Sequence, residues 1–372
     1  MPSSTTTPTT TKVSSSRFYG EYHGHRTEHL EILLPMLREA SDCLIWTAGD
    51  SSLDNKYWFS DVRPAVGPYA DFLNPPQSNA DVTYWLNALL AEEQQQQRTG
   101  GSNNSNSFNN NSTTTAPQRR MYAINTAVEA TTLNERTFRL RPQDKFLRDN
   151  IQSNDVLIVS VGGNDVAMAP TPCTILSILS MVNMPLSCLE QACILGTVPC
   201  DEYCYGCGPS AMGSCLCAFP CCFGYLVHLF GTRVQKYIER LVPKTNNKPK
   251  KILVCMYYYL DKNPTPSWAG PALGCLGYNQ TPQKLQTLIR RAFEEATSKI
   301  EIPGSQVVPV PLFNVLDGEN SHDYVARVEP SSQGGRKMAE YLLDVILCQE
   351  EGVGPTFGAS APVESTYMAD RS

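Results

Sequence analysis

The stretch "DVLIVSVGGND" (residues 155–165) decides the fold, because it carries the strongest signal of a buried strand in the chain. An apolar run of this length that ends in two glycines is typical of a strand inside a parallel sheet, followed by a tight turn. A second run, "DCLIWTAGDSS" (42–52), ends in a Gly-Asp-Ser turn. Both runs therefore predict a buried strand with polar side chains at its carboxyl end.

Helical patterns alternate with apolar runs along the chain. The predicted strands lie within 42–52, 120–133, 155–165, 251–260 and 305–313. The predicted helices lie at 27–40, 80–92, 142–151, 231–242, 282–300 and 331–349, the first of them capped by Thr27. Strands that alternate with helices of this length form a parallel sheet with helices on both faces. The sequence therefore predicts a three-layer α/β/α sandwich with a doubly wound, mostly parallel sheet.

The composition limits the partners and the compartment. The chain has 372 residues, of which 41% are hydrophobic, enough to bury a sizeable core. Its formal charge of −6 is not basic enough to favour a nucleic-acid partner. The first residues lack the apolar core of a signal peptide, so we expect an intracellular, cytoplasmic protein with a solvated N-terminal tail, although Ser/Thr-rich leaders also occur in organelle transit peptides.

Four segments stand outside the alternating pattern of a domain that spans 17–350. Residues 1–16 and 352–372 are expected to be disordered tails, and the Gln/Asn/Ser-rich tract 93–118 is expected to be a disordered polar loop. The fourth segment is the cysteine-rich insert, residues 166–231, which interrupts the domain directly after the run at 155–165.

The cysteine-rich insert is almost uncharged. It holds ten of the fourteen cysteines and only three formal charges. Its apolar runs are interrupted by proline and glycine, which disfavours a spanning helix but allows peripheral contact with a membrane. The cysteines could bind zinc, be S-acylated or pack as thiols in an apolar lid. The zinc alternative would use Cys204, Cys207, Cys215 and Cys217.

Polar side chains at the ends of the two apolar runs fit the chemistry of acyl transfer. A serine on a tight turn at the carboxyl edge of a parallel sheet can expose its hydroxyl as a nucleophile, and Ser51 has that position. Asn164 supplies a neutral amide donor, which suits the oxygen that turns negative in a tetrahedral intermediate. Either turn alone is also common in plain loops.

Three motifs in this order resemble the sequence blocks of the SGNH, or GDSL-type, hydrolase family. They are "GDSS" (49–52), "VGGND" (161–165) and "EPSSQGGRKMAEYL" (329–342). The resemblance covers roughly residues 40–350, apart from the polar loop and the insert. It implies a doubly wound three-layer α/β fold and the activity of a serine esterase, lipase or related acyl hydrolase.

The resemblance also implies roles for single residues. Ser51 matches the nucleophile, whose backbone N–H belongs to the oxyanion hole, and Asn164 matches the asparagine donor. The third donor of the family is the backbone N–H of a glycine, and the best match to it here is Glu129. Every residue but proline keeps that N–H, so Glu129 is the expected third donor, with its carboxylate turned away or protonated. Glu129 could equally be an ordinary surface residue after a strand.

The last block departs from the family. Its Asp-X-X-His-Pro pattern supplies the general base and the carboxylate that orients it, but Ala326 and Glu329 stand at those positions. A carboxylate with an ordinary pKa of about 4.3 is a poor base for a serine hydroxyl, although burial can raise that pKa by several units. Glu329 could otherwise orient Ser51 or bind a substrate group.

A histidine from elsewhere in the chain could replace the missing base. His322 is the first candidate, because it lies on the same loop as Glu329 and beside Asp323. His25 is the second, because the start of the helix at 27–40 is expected near the carboxyl edge of the sheet. There His25 and Glu329 would form a rebuilt triad. The histidines near residue 25 could also simply decorate a helix N-terminus.

These observations leave two functions open. The first is a serine-dependent hydrolase of an acyl ester, of a lipid if the insert is a lid or a membrane contact, that needs no cofactor and no metal. The second is a catalytically inactive, membrane-peripheral protein of the same fold that binds a ligand or a partner. A histidine nitrogen within hydrogen-bond reach of the Ser51 hydroxyl favours the enzyme, and Glu329 alone facing that hydroxyl favours the binding protein.

Overall fold

The structure is a computed structural model of the chain. It describes residues 12–100, 119–170, 172–190, 223–242 and 248–348.

Five parallel strands form the central sheet. They are β1 (Cys43–Gly49), β2 (Met121–Asn125), β3 (Val156–Ser160), β4 (Lys251–Met256) and β5 (Gln306–Pro311). Their order across the sheet is β2-β1-β3-β4-β5, and every neighbouring pair is parallel. β1 and β3 are buried along their whole length, as the apolar runs in the sequence predict. This order is one of the two common doubly wound arrangements.

Six helices of the described residues flank the sheet and cover its two faces. They are α1 (Thr27–Ala40), α2 (Val82–Gly100), α3 (Pro142–Asn150), α4 (Val234–Leu241), α5 (Pro282–Glu295) and α6 (Ser332–Cys348). Further helices lie at Ser15–Tyr19, Pro68–Phe72, Leu133–Phe138, Gly163–Ala167, Pro172–Val182, Leu186–Glu190, Phe223–Val227 and Gly270–Cys275. A π-helical turn, His228–Arg233, joins the helix Phe223–Val227 to α4 in one continuous helical segment.

Two apolar cores lie on opposite faces of the sheet. Leu44 and Trp46 of β1 point into the core that α1, α3, α4 and α5 cover. Cys43 and Ile45 point to the other face, into the core that α2 and α6 cover. This alternation is the period of two that a strand requires. The prediction of a three-layer α/β fold with a central parallel sheet is therefore confirmed.

Several predicted boundaries differ from the structure. The N-cap of α1 is Arg26 and makes no side-chain cap, so the prediction of a Thr27 cap is wrong. The strand Val13–Ser14 pairs with Leu73–Asn74, so the expected N-terminal tail already belongs to the fold there. α2 runs past the predicted end at residue 92 to Gly100, into the tract expected to be a loop. The strand Val13–Ser14 depends on pairing with a distant segment, and the end of α2 is rich in Gln. Neither feature gives a strong local signal of secondary structure in the sequence.

The described parts of the cysteine-rich insert are helical. They include Pro172–Val182, Leu186–Glu190 and Phe223–Val227. Residues 191–222, with all four cysteines of the zinc alternative, lie outside the described residues. Within the described segments, no helix has both the length and the apolar character needed to cross a bilayer.

Candidate active site

The candidate site lies where the direction of strand order reverses. The connection after β1 leads to β2 on one side, whereas β3 pairs with β1 on the other side. In doubly wound sheets this switch point opens a crevice at the carboxyl ends of the strands, where ligands bind. Ser51 follows β1 and Asn164 follows β3, so the two residues flank the crevice.

Gly49 makes the turn before Ser51 possible. Its φ angle is 131°, and a Cβ atom there would lie 1.7 Å from the carbonyl oxygen of Ser160. Only glycine fits such a close approach of two backbones. The Gly49 carbonyl accepts a 2.8 Å hydrogen bond from Nη2 of Arg136, whose side chain is almost fully buried. The buried guanidinium of Arg136 therefore fixes the carboxyl end of β1.

The Ser51 hydroxyl faces Glu329. Oγ of Ser51 donates a hydrogen bond of 3.1 Å to Oε1 of Glu329. Both side chains are buried, with 6% and 4% of their surface exposed. The sequence resemblance aligned Glu329 with the general base of the SGNH family. The structure brings Glu329 and Ser51 together.

A tight hairpin presents Glu329. The strands Tyr324–Val325 and Glu329–Pro330 pair antiparallel, and Ala326 and Arg327 have φ angles of 50° and 72°. Two successive positive φ angles are typical of a type I′ turn. Arg327 is 2% exposed and donates through Nε and Nη2 to the carbonyl of Asp261, which anchors the turn. Ala326, at the position of the family's orienting Asp, thus forms the turn itself.

Asn55 connects the loop that carries Ser51 to the hairpin that carries Glu329. Its Nδ2 donates to the carbonyl of Pro330 at 2.9 Å, and its Oδ1 accepts from the N–H of Val82 at 3.2 Å. The residue after Glu329 is thereby held to the loop that carries Ser51. Asn55 could not be identified from the sequence, because an Asn in a loop carries no signal of a distant partner.

Burial changes the acidity of Glu329. Desolvation, the hydrogen bond from Ser51 and the charges of Asp50 and Asp54 act on it together. Burial dominates and raises the pKa of Glu329 to about 8. A carboxyl group with such a pKa is a base at least as strong as an ordinary imidazole, whose pKa is about 6.5.

Two donors remain for an oxyanion. The N–H of Ser51 has no acceptor among the residues that the structure describes. Nδ2 of Asn164 donates to the carbonyl of Thr131 at 3.0 Å, and a primary amide has a second N–H to offer. Gly162, with a φ angle of 111°, begins the short helix Gly163–Ala167 that carries Asn164 to the crevice.

The expected role of Glu129 as the third donor is wrong. Its N–H donates to Oδ2 of Asp54 at 3.2 Å and is therefore already engaged. Its side chain is fully buried and lies 3.3 Å from Nζ of Lys56, so it is no surface residue either. Glu129 lies beside the site but does not line the cavity at Ser51.

Asp54, Lys56 and Glu129 form a buried ionic cluster. Nζ of Lys56 lies 2.9 Å from both carboxylate oxygens of Asp54, and neither side chain is exposed. Burial would raise the pKa of Asp54 and lower that of Lys56, but their mutual attraction outweighs it and both remain charged. Burial and the charge of Asp54 raise the pKa of Glu129 to about 8, so this third member holds a proton at neutral pH.

The structure brings neither candidate histidine to Ser51. The side chain of His322 is exposed, and His322 does not line the cavity at Ser51. The ring of His25 is buried against Phe18, with ring centroids 3.9 Å apart, and its Nδ1 lies 2.8 Å from the Phe18 carbonyl. Burial, and then the charge of Lys56, lower the pKa of His25 to about 3. Both expectations of a relocated histidine base are therefore wrong.

A large apolar cavity opens beside the pair. Its volume is about 350 Å³, and Ser51, Asn164 and Glu329 lie in its wall. The remaining wall is mostly apolar and includes Ile175, Leu179, Phe230, Trp268, Leu276 and Leu288. Such a site, apolar with a few convergent polar groups, is the usual form of a small-molecule pocket.

Comparisons with known proteins give weak structural likenesses only. No protein-family model matches the chain, and no curated protein matches it in sequence. Est24, a carbohydrate acetylesterase from Sinorhizobium meliloti, is 14% identical over 83% of this chain and 100% of that chain, with a TM-score of 0.35. LAE5, an alpha/beta hydrolase from the metagenome of Lake Arreo, Spain, is 12% identical over 83% and 97%, with a TM-score of 0.35.

A third solved structure is less similar. The family 3 carbohydrate esterase of Clostridium thermocellum is 12% identical over 82% of this chain and 98% of that chain, with a TM-score of 0.29. Since all three TM-scores are below 0.5, any function of this chain has to be argued from its own site.

Proposed function

We propose that the chain is a serine-dependent ester hydrolase, with Ser51 as the nucleophile and Glu329 as the general base. The hydrogen bond from Ser51 to a buried carboxyl group of raised pKa supports this most directly. Nucleophile and base within hydrogen-bond reach are the first requirement of covalent catalysis, and the base then has to accept a proton near the working pH.

The steps follow from these positions. Ionised Glu329 takes the proton of Ser51 as Oγ attacks the ester carbonyl carbon, and the N–H of Ser51 and Nδ2 of Asn164 donate to the oxyanion. The ester C–O bond then breaks, and Glu329 returns the proton to the leaving alcohol. Glu329 then deprotonates a water molecule that attacks the acyl carbon. The bond between that carbon and Oγ of Ser51 breaks, Glu329 returns the proton to Oγ, and the carboxylic acid is released. One water is consumed, and the enzyme is regenerated.

The raised pKa gives Glu329 the basicity that the histidine of the family pattern would supply. At pH 7 a carboxyl group of pKa about 8 is ionised in only about a tenth of the molecules, but that fraction is a strong base. Orienting carboxylates are not needed, because Asn55 and the hairpin already hold Glu329 through the backbone.

One observation favours the second function, an inactive binding protein. The group that faces the Ser51 hydroxyl is Glu329, and no histidine of the described residues does so. In that case Ser51 and Glu329 would only bind a ligand in the cavity, and the carboxyl group would stay protonated.

Labelling with a fluorophosphonate probe separates the two functions. An activated Ser51 is expected to form a covalent adduct, visible as a mass increase on one tryptic peptide, and Ser51→Ala is expected to abolish it. Glu329→Gln keeps the shape of the site but removes the base, so its labelling is expected to slow by at least tenfold. A well-folded wild-type protein without an adduct at Ser51 over the range pH 7–9 would leave the binding protein as the function.

The finer expectation of a lipid-like ester rests on the cavity. The apolar wall beside Ser51 offers room for an aliphatic acyl chain but few partners for a polar one. A series of p-nitrophenyl esters from acetate to decanoate tests this. We expect kcat/KM to rise with chain length up to about octanoate, and a maximum at acetate would refute the lipid-like substrate.

Contact of the cysteine-rich insert with a membrane is a separate proposal. Three apolar side chains of its described part are exposed by 40–46%: Met168, Ile175 and Leu179. An exposed apolar group of this kind beside a cavity favours contact with lipid. We expect sedimentation with phosphatidylcholine vesicles to weaken in the Met168→Ser/Ile175→Ser double variant. Equal sedimentation of variant and wild type would speak against this contact.

A further inference from the structure

Four aromatic side chains form a continuous strip of ring contacts that ends at the wall of the cavity. Tyr22 and Tyr57 have ring centroids 4.8 Å apart, and Tyr57 and Trp58 have centroids 5.9 Å apart with perpendicular planes. Trp58 stacks near-parallel on Trp268 at 6.0 Å. Tyr22, Tyr57, Trp58 and Trp268 form the aromatic strip. They come from three separate chain segments, so a tertiary arrangement produces the strip.

One end of the aromatic strip lines the cavity of the candidate site, and the charges of the site act on the other end. Trp268 lines the cavity together with Ser51 and Glu329. At the other end, burial and then the charges of Glu129 and Glu329 raise the pKa of the Tyr22 hydroxyl. Tyr22 therefore lies within electrostatic range of the same carboxyl group that Ser51 contacts.

The aromatic strip is open to solvent. Tyr22, Tyr57 and Trp268 expose 37%, 53% and 46% of their surface. Large aromatic groups exposed side by side are uncommon on a soluble protein and typically mark a binding surface. The apolar cavity already offers a place for the acyl chain of an ester, so the strip is positioned for the alcohol part.

The charges around the strip indicate what kind of alcohol it fits. The described residues that line the cavity include two acids, Asp50 and Glu329, and no Lys, Arg or His. The nearby cation Lys56 is fully buried and paired with Asp54. Aromatic ring faces attract a cation, and quaternary ammonium groups are bound against such faces.

We propose that the aromatic strip binds the alcohol part of the ester and that this alcohol carries a quaternary ammonium group. The substrate class is then an apolar acyl ester of an amino alcohol of the choline type. This inference rests on the proposed ester hydrolysis at Ser51. The acyl chain occupies the cavity, the carbonyl lies at Ser51, and the trimethylammonium group contacts the rings of the strip.

A pair of substrates with the same shape isolates the charge. Octanoylcholine and 3,3-dimethylbutyl octanoate differ only in a positive nitrogen in place of a carbon. Cation–aromatic attraction is expected to raise kcat/KM for the choline ester by roughly 3- to 30-fold over its neutral isostere. Tyr57→Leu and Trp268→Leu should each reduce this ratio towards one, whereas Trp268→Phe should keep part of it. A ratio within one variant does not depend on how much of that protein is folded.

Other outcomes overturn the inference without touching the proposed function. Equal kcat/KM for the two esters, or a ratio that the strip variants leave unchanged, would show that the aromatic strip does not bind the positively charged group of the substrate. Hydrolysis of p-nitrophenyl octanoate that depends on Ser51 would still support an esterase in that case. If that hydrolysis is absent, binding of octyltrimethylammonium to the full chain is measured by calorimetry. Binding that Trp268→Leu weakens supports the strip as a cation site, and undetectable binding refutes it.

Discussion

Oγ of Ser51 donates a 3.1 Å hydrogen bond to Oε1 of Glu329, although the two residues are 278 positions apart in the chain. One follows the buried strand β1, and the other is part of a short hairpin that precedes α6. The strength of the base in such a pair depends on how strongly burial raises the pKa of the carboxyl group. Its consequences can be tested with pH and with substitutions that keep the size of the side chain.

The first expectation concerns the pH dependence of catalysis. Because burial raises the pKa of Glu329 to about 8, kcat/KM for a p-nitrophenyl ester should rise with pH and level off above about 8. Glu329→His places the residue of the family pattern at this position. Its profile should level off nearer about 6.5, the ordinary pKa of histidine. A wild-type inflection near 6.5 would exclude Glu329 as the base.

The second expectation concerns stability as a function of pH. The pKa values of Glu129 and Glu329 are raised to about 8 in the folded protein, from an unfolded value of 4.5. The folded state therefore holds protons that the unfolded state releases. This contribution is fully present below about pH 4.5 and is lost as pH rises through about 8.

Glutamine variants test this dependence, because an uncharged amide cannot release a proton. The Tm of Glu129→Gln relative to wild type should increase between pH 5 and pH 8.5, and Glu329→Gln should behave in the same way. Differential scanning calorimetry at both pH values provides the measurement. A constant difference in Tm across this range would show that neither pKa is raised by folding.

The third expectation concerns the buried ionic cluster. Lys56→Met removes the only positive charge of the cluster and leaves Asp54 buried without its partner. Loss of one partner of a buried ion pair costs about 3–5 kcal/mol of unfolding free energy. Glu129→Gln is the matched control, because it replaces a protonated acid by an amide and should cost about 1 kcal/mol or less. Urea denaturation measures both, and equal losses would contradict this assignment of charges.

The sheet could be predicted from the sequence because its strands carry local signals. The runs that contain Trp46 and Ile158 are buried along their whole length and almost entirely apolar, since both faces of β1 and β3 are covered by helices. The positions of Ser51 and Asn164 follow from these strands, because parallel strands end at one edge. No comparison with a distant part of the chain is needed for either inference.

The partners within the site could not be predicted in this way. Asn55 and Lys56 look like ordinary residues of a polar loop, but they bind Pro330 and Asp54 in the folded protein. His322 is near Glu329 in sequence, but the two residues lie on either side of the turn at Ala326. The side chain of His322 is exposed. Tertiary contacts decide each of these outcomes, and local sequence patterns do not contain them.

The fourth expectation concerns Asn55 as a positioning residue. Asn55→Ala removes the hydrogen bond to the carbonyl of Pro330 and frees the hairpin that carries Glu329. A shift of about 1 Å between reacting groups can lower the rate by about 100-fold. We therefore expect kcat to fall by roughly 10- to 100-fold with KM changed by less than about threefold, because the cavity itself is untouched.

Asn79→Ala is the matched control for that loss. Nδ2 of Asn79 donates to the carbonyl of Lys56 at 3.0 Å, so it supports the same loop but not the hairpin. Steady-state kinetics of both variants, with Tm recorded alongside, separates positioning from general loop stability. If both variants lose kcat to the same degree, the loop as a whole matters and Asn55 has no special role. A loss confined to Asn55→Ala would show that the distance between Ser51 and Glu329 is set through this one side chain.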